Sequence, residues 1–277
     1  MEVQAPMSIE VKNLTKTYKI KNHADDKSIF RQLSSRYSVL TAVNNISFTI
    51  PTGNIVGFIG ANGAGKSTTI KMLTGILTPD CGTISINGLN YRKNRRQIMM
   101  KIGVVFGQRS VLCWDIPIID SLKLFKDMYY IPENIYKDNI ELFTDILDLS
   151  EFICKPPRLL SLGQRMKADL AATLLYNPEI LFLDEPTIGI DVLSKDKIRS
   201  FISRINKERH TTVILTTHDI SDIEALCSKM IIIDKGTILY NGTLDNLKSV
   251  YNASLTDNNA ADDLETIIKK IYAGDFL

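Results

Sequence analysis

The chain has 277 residues, 44% of them hydrophobic and 23% charged, with a formal net charge of +2. This composition suits a globular protein with a sizeable core, and the near balance of charge weighs against a polybasic nucleic-acid binder. No run of about 18 apolar residues occurs, so no transmembrane helix is expected.

Met1 to Glu10 lacks the charged-then-apolar pattern of an export signal, which predicts a chain that stays in the cytoplasm. Ile9, Val11 and Leu14 alternate with polar residues and predict a half-buried strand; Val43 to Ile50 predicts another, followed by a turn at Pro51-Thr52-Gly53-Asn54. Ile55 to Ile59 is a continuous apolar run, as in a fully buried strand. It leads through Gly60 and a glycine-rich loop into a helix predicted from Ser67 to about Leu77. Strands are predicted at Thr83 to Ile86 and Ile102 to Phe106, and a helical pattern from Ile118 to about Ala172. Ile180 to Leu183 predicts a buried strand, Val192 to Glu208 a helix, Thr212 to Thr216 a strand, Ile220 to Leu226 a helix and Met230 to Ile233 a strand. Strands alternating with helices imply an α/β fold with a mainly parallel sheet, and the early strands add an antiparallel β-layer. The scattered Cys81, Cys113, Cys154 and Cys227 show no metal-ligand spacing and are expected as buried or free thiols.

Two motifs carry chemistry. Gly60-Ala61-Asn62-Gly63-Ala64-Gly65-Lys66-Ser67 fits the phosphate-binding string G-x-x-x-x-G-K-[ST]. Glycines let backbone N–H groups turn inward around phosphate oxygens, and the helix that follows offers its positive end to an anion. Lys66 can reach the β- and γ-phosphates, and the Ser67 hydroxyl can ligate Mg²⁺. The apolar strand Ile180 to Leu183 ends in Asp184-Glu185-Pro186. An acid at that position is the second element of phosphate-loop ATPases, with Asp184 on Mg²⁺ and Glu185 placed to polarise a water. Each has a plain alternative, a glycine turn or a solvated acidic turn; their joint presence, with a buried strand before the loop and a helix after it, favours the functional reading.

Many families share those two elements. Leu160-Ser161-Leu162-Gly163-Gln164 is more specific: it resembles the signature of ATP-binding-cassette (ABC) transporters, whose usual form is Leu-Ser-Gly-Gly-Gln. Gln108 is similar to the family's Q-loop glutamine, Ile188-Gly189-Ile190-Asp191 to its D-loop and Thr216-Thr217-His218-Asp219 to its switch-histidine segment. Tyr18 stands where the family places an aromatic that stacks on adenine. Two departures stand out. Leu162 replaces the first signature glycine, where it disfavours positive φ and adds bulk. The gap between Tyr18 and Gly60 is longer than usual, with an insertion at about 21–40.

The resemblance implies an ABC ATPase domain over 8–245, a helical subdomain at about 111–172, and a C-terminal extension over 246–277. It implies ATP bound by Tyr18, Gly60 to Thr68 (Gly60, Ala61, Asn62, Gly63, Ala64, Gly65, Lys66, Ser67 and Thr68) and Gln108. Mg²⁺ would be held by Ser67, Gln108 and Asp184, with catalysis by Glu185, His218 and Lys66. Two such subunits, identical or different, would pack head to tail, and Ser161, Gly163, Gln164 and Asp191 of one would reach the ATP of the other. The implied partner is a membrane permease that holds the chain at the cytoplasmic face. Residues 107–109, 160–165 and 187–191 resemble a multidrug-type exporter subgroup. The rival classes are soluble ABC ATPases acting on ribosomes, nucleic-acid ATPases with a long coiled coil, and regulatory cassettes. A single cassette, no long heptad segment and retained Lys66, Asp184, Glu185 and His218 weigh against them, and no nucleic-acid partner is expected. Within the insertion, Ser28 to Tyr37 is predicted as a short amphipathic helix with Ile29, Phe30, Leu33 and Tyr37 on one face, set either against a membrane surface or the permease or against the β-layer of its own subunit.

Overall fold

A computed structural model describes residues 6–21, 37–107, 109–254 and 263–274. The chain opens with two long strands, β1 (Met7–Lys21) and β2 (Tyr37–Pro51), paired antiparallel from Met7↔Pro51 to Lys21↔Tyr37. β3 (Ile55–Ile59), the helix α1 (Lys66–Leu73), β4 (Cys81–Ile86), β5 (Leu89–Asn90), α2 (Arg95–Met99) and β6 (Ile102–Phe106) follow. Next come α3 (Ile118–Met128), α4 (Glu133–Leu147), two single 3₁₀ turns and α5 (Leu162–Leu174). The chain then runs through β7 (Ile180–Asp184), α6 (Val192–Arg209), β8 (Thr212–Thr216), α7 (Ile220–Leu226), β9 (Lys229–Asp234) and β10 (Thr237–Thr243). It closes with α8 (Leu244–Ser254) and α9 (Leu264–Ala273).

These strands form two sheets, of order β2-β1-β4-β5 and β10-β9-β3-β8-β7-β6. The first is antiparallel. In the second, the five strands from β9 to β6 run parallel and β10 adds an antiparallel edge. This is the α/β fold with an antiparallel layer that the patterning predicts. β3 and β8 are buried at every residue, as expected of strands covered on both faces. Alternation in β2 turns Ile46, Phe48 and Ile50 inward against the parallel sheet, where they join Phe58 and Ile70 in one core. The opposite face of the sheet packs on α4, α5 and α6 through Phe143, Leu170 and Phe201, with α9 joining through Ile267 and Ile271.

Several boundaries differ from the sequence reading. α1 stops at Leu73, its cap at Thr74 being followed by Gly75 at φ +70°, so the helix is shorter than predicted. The stretch 118–172 is broken into three helices. Tyr130 and Asp148, both at positive φ, end the first two, and Pro156-Pro157 precede the third, where the second proline sets a 3₁₀ turn. Tyr37, the last residue of the predicted insertion helix, lies instead in β2, because its pairing with Lys21 continues the β1–β2 ladder. Residues 28–36 of that prediction lie outside the described residues. All four cysteines are unpaired, and only Cys227 is buried.

The helical segment is tied to the sheet by polar groups as well as by packing. Tyr129 stacks on Tyr176 with ring centroids 3.7 Å apart, and the Tyr176 hydroxyl donates to the carbonyl of Ile102 on β6. Asp169 on α5, only 2% exposed, accepts hydrogen bonds from Ser110 Oγ at 2.7 Å and Val111 N at 2.9 Å. Burial pushes its carboxyl from the ordinary 3.8 up to about 6, with both hydrogen bonds pulling the other way. The folded chain thus binds an extra proton between about pH 4 and pH 6, and this contribution to stability is lost as pH rises through that window. Against Asp169→Asn, the parent chain is expected to lose about 2 kcal/mol of stability from pH 4 to pH 7. Urea unfolding of both proteins at several pH values checks this.

Candidate active site

The parallel strands bring the chemistry-bearing residues to one edge. Phe58, Thr216, Asp184 and Phe106 are register partners across β3, β8, β7 and β6, so these strands end in line. Ligands of parallel α/β sheets bind beyond that carboxyl edge. Gly60 to Gly65 leave the end of β3 there, the segment 185–191 leaves β7, and Thr217-His218-Asp219 leave β8.

The loop after β3 is shaped by where its glycines stand. Gly65 has φ +108°, and a Cβ on it would lie 2.4 Å from the carbonyl oxygen of Ala42 in β2. Gly63 has φ +82° and open space where a Cβ would point. Lys66, the first residue of α1, is 6% exposed. Its ammonium donates to the carbonyl of Gly60 at 2.5 Å and of Ala61 at 3.2 Å. Desolvation lowers its pKa, while the charges of Glu185 and Asp184 act to raise it. Asn62 and Ser67 are exposed, Ala64 is buried and Thr68 is half-buried.

At the end of β7, Asp184 Oδ1 accepts a hydrogen bond from Thr216 Oγ1 at 2.6 Å. Glu185 N donates to Thr216 O at 3.0 Å and lies 3.1 Å from Thr216 Oγ1. Glu185 itself sits at φ +55°, a conformation that costs a non-glycine residue about 1 kcal/mol or more. That backbone turn aims its carboxylate at His218, whose Nε2 is 2.6 Å from Glu185 Oε1. A cleft of about 790 Å³ opens beside this pair, lined by Gly60, Ala61, Glu185, Thr187, Gly189 and His218, among others. Its far wall is α9, through Leu264, Ile268 and Tyr272. The C-terminal extension carries no motif; the signal for α9 was its apolar spacing at 264, 267, 268 and 271.

The remaining candidates lie elsewhere on the chain. Tyr18 is on β1, paired with Leu40 and 37% exposed, with the Lys16 ammonium 5.9 Å from its ring centroid. Ser161 is the N-cap of α5: its Oγ accepts from Gln164 N at 3.2 Å, and Gln164 Oε1 accepts from Ser161 N at 3.1 Å. This is a capping box, legible in the Ser-x-x-Gln spacing. Leu162 is the first helical residue of α5, so the positive φ that a leucine resists is not required of it. Its side chain lies against Gly189, near enough that a Cβ there would be 3.2 Å from Leu162 Cδ2. Gly163 is buried against Ser194 and Ile190. Asp191 caps α6, its Oδ1 accepting from Ser194 N at 2.9 Å. Of the candidate residues, Gly60, Ala61, Glu185 and His218 line the cleft, whereas Asn62 to Thr68, Asp184, Tyr18, Ser161, Gly163, Gln164 and Asp191 do not. Gln108 lies outside the described residues.

The oxygen donors at the end of β7 and the start of α1 fit Mg²⁺ better than a softer metal. The Asp184 carboxylate and the Ser67 hydroxyl are hard oxygen donors, and no cluster of three His, Cys, Asp or Glu side chains exists among the described residues. Mg²⁺ suits a site with few protein ligands, because it is held largely by phosphate oxygens and water.

The two loop glycines give a direct test of the geometry. Gly65→Ala places a methyl on the Ala42 carbonyl at a disfavoured φ and is expected to destabilise the chain by about 2–4 kcal/mol. Gly63→Ala meets open space and is expected to cost about 1 kcal/mol. Denaturant unfolding of the two variants measures the difference.

Comparison with known proteins follows the same outline. Residues 43–188 match the family model of the ABC transporter. The chain is 31% identical over 217 residues to the ABC transporter ATP-binding protein NatA of Bacillus subtilis, covering 78% of this chain and 88% of that protein. It is 34% identical over 220 residues to the bacitracin transport ATP-binding protein BcrA of Bacillus licheniformis, covering 78% of this chain and 69% of that one. Among solved structures, a dimeric bacterial ABC transporter cassette superposes with a TM-score of 0.72 at 25% identity, over 85% of this chain and 98% of its own.

Proposed function

We propose that this chain, which belongs to the ABC transporter family, hydrolyses ATP at a site shared between two cassettes and so drives a membrane permease. Its character as an ATP-binding ATPase subunit follows from the family and its relatives. The observation that carries the residue assignments is the Lys66 ammonium. It is buried, and its hydrogen bonds go to two neutral carbonyls of its own loop. Burying a cation this way is costly unless anions complete its surroundings; the Glu185 and Asp184 charges offset part of that cost, desolvation being the larger effect, and triphosphate oxygens would offset more.

In this reading, the backbone of Gly60 to Gly65, the start of α1 and Thr68 bind the phosphates, and Tyr18 takes the adenine. Water attacks the γ-phosphoryl group in line. Glu185 orients it or accepts its proton, while Lys66 and His218 stabilise the charge that spreads onto the phosphoryl oxygens. The short Glu185–His218 contact supports a joint role for the two. Ser67 and Asp184, with Gln108, would hold Mg²⁺. When bound, it neutralises charge between the β- and γ-phosphates.

Ser161, Gly163 and Gln164 lie at the start of α5 and do not line the cleft of their own chain. The signature resemblance of 160–164 supports their use, with Asp191, against the ATP of a second subunit, identical or different, and the dimeric cassette among the similar structures supports the pairing of two cassettes. No helix among the described residues is long and apolar enough to cross a membrane, and we assign passage of the cargo to a separate permease. Such a partner would hold the chain at the cytoplasmic face. Export is the direction we infer, from the multidrug-type resemblance of residues 107–109 and 160–165 and from the relative named for bacitracin transport.

Two experiments test this. Glu185→Gln is expected to bind ATP as the parent does and to hydrolyse it at least about 100-fold more slowly, since the amide cannot accept a proton. Full activity of that variant would remove Glu185 from the reaction. Mixing a Lys66→Ala chain with a Ser161→Arg chain puts both lesions in one shared site and leaves the other intact. ATPase activity is expected to return in part, although each variant alone is inactive. Mixed dimers without recovery would count against a shared site.

A further inference from the structure

Asp222, on the first turn of α7, is completely buried. A buried carboxylate is tolerated only when its oxygens are fully satisfied, and here the donors come from three separate segments. Oδ2 accepts from Thr187 Oγ1 at 2.5 Å and from Thr217 Oγ1 at 2.9 Å. Oδ1 accepts from Arg199 Nε at 2.7 Å and pairs with its Nη2 at 2.5 Å. Both threonines are 3% exposed. Thr187 stands two residues after Glu185, and Thr217 directly precedes His218. Arg199 belongs to α6, the helix that Asp191 caps.

The geometry points to Asp222 as a positioning residue for the Glu185–His218 pair: one carboxylate oxygen holds both loops, and thereby sets how the two side chains meet. Asp222 touches neither of them. The segments after β7 and β8 also meet directly in the Glu185–His218 contact, at 2.6 Å. The Oδ2 arrangement needs an acceptor for two hydroxyls at once. An asparagine amide nitrogen has no lone pair to offer, so Asp222→Asn either faces the threonines with its nitrogen, which leaves their hydroxyl hydrogens without this acceptor, or turns its nitrogen toward the Arg199 donors. In both cases a buried polar group is orphaned. Arg199 and Lys195 extend the same frame. Arg199 Nη2 donates to Ser221 Oγ at 2.7 Å, and Lys195 Nζ donates to Asp219 Oδ2 at 2.8 Å, joining α6 to the N-terminus of α7.

The kinetic part of the test rests on the roles proposed above for Glu185 and His218; the spectroscopic part does not. The sequence contains three histidines, His23, His210 and His218, so their ring signals can be followed by ¹H–¹⁵N NMR of the full chain and assigned by single His→Gln variants. Asp222→Asn, and separately Thr187→Val/Thr217→Val, are expected to shift or broaden the His218 ring signal and leave that of His210 in place. In ATPase assays, both are expected to lower kcat tenfold or more while KM for ATP moves less than threefold. Thr187→Ser and Thr217→Ser, which keep the hydroxyls, are expected to restore most of the rate. A general loss of packing would instead move both ring signals and raise KM. The proposal is overturned if the His218 signal is unmoved in the double valine variant, or if kcat and KM fail together with no recovery by serine. Should Asp222→Asn not fold, the valine pair decides, because it leaves the Asp222–Arg199 ion pair intact. A parent chain without ATPase activity would defeat the functional reading, and the ring signals would still decide the position of Asp222.

Discussion

The site is organised around the buried cation of Lys66. Lys66 sits at the junction of β3 and α1 with its ammonium folded back on the carbonyls of Gly60 and Ala61. Removing that charge from water lowers its pKa, and the nearby Glu185 and Asp184 act in the opposite direction. The sheet brings these carboxylates near the ammonium by ending β3, β8 and β7 in register. The loop must also turn back tightly enough for its carbonyls to reach the amine. Gly65 permits that turn by allowing β2 to approach to a distance that excludes a side chain. The antiparallel layer is therefore part of the site's geometry, although none of its residues lines the cleft.

How much of this was legible in sequence depended on what each feature is made of. The buried strands announced themselves as apolar runs, and Thr212–Thr216 and Ile102–Phe106 have the predicted bounds. The phosphate loop and the acidic strand end were readable because their chemistry needs particular residue types at fixed spacing. The length of the β1–β2 hairpin was hidden because its outer half has no buried face. Val39, Leu40 and Tyr37 are exposed, so no inward–outward alternation marks it. In the same way, Tyr37 shares helical spacing with Leu33 yet lies in a ladder set by its partner Lys21. Leu162 was misjudged for a different reason. A missing glycine suggested strain, whereas the capping box of Ser161 and Gln164 makes the leucine the first residue of the helix, where positive φ is not required.

The site also draws on a part of the chain with no motif. The buried face of α9, Leu264, Ile267, Ile268 and Ile271, packs on the same core as Ile223 of α7 and Ile232 of β9. That packing fixes α9 as the wall facing Glu185 and His218. Periodicity alone reveals such a helix, but not which surface it covers. A segment beyond the last motif thus contributes shape to the cleft, and Asp263, Glu265 and Lys269 add charge to its lining.

What periodicity cannot reveal is the set of buried polar groups that hold the loops in place. Asp169 secures the segment after β6 on α5, Thr216 secures the Asp184 carboxylate, and Asp222 gathers Thr187, Thr217 and Arg199. Each stands at a position that sequence reasoning treats as solvated, because Asp and Thr are usually exposed. Apolar packing would place these loops only loosely, since it is nondirectional. Hydrogen bonds to a buried carboxylate are directional and costly to break, so they define loop positions more narrowly than packing does. The fold therefore divides the work: apolar faces set where the elements lie, and a few buried polar atoms set where the reactive side chains point.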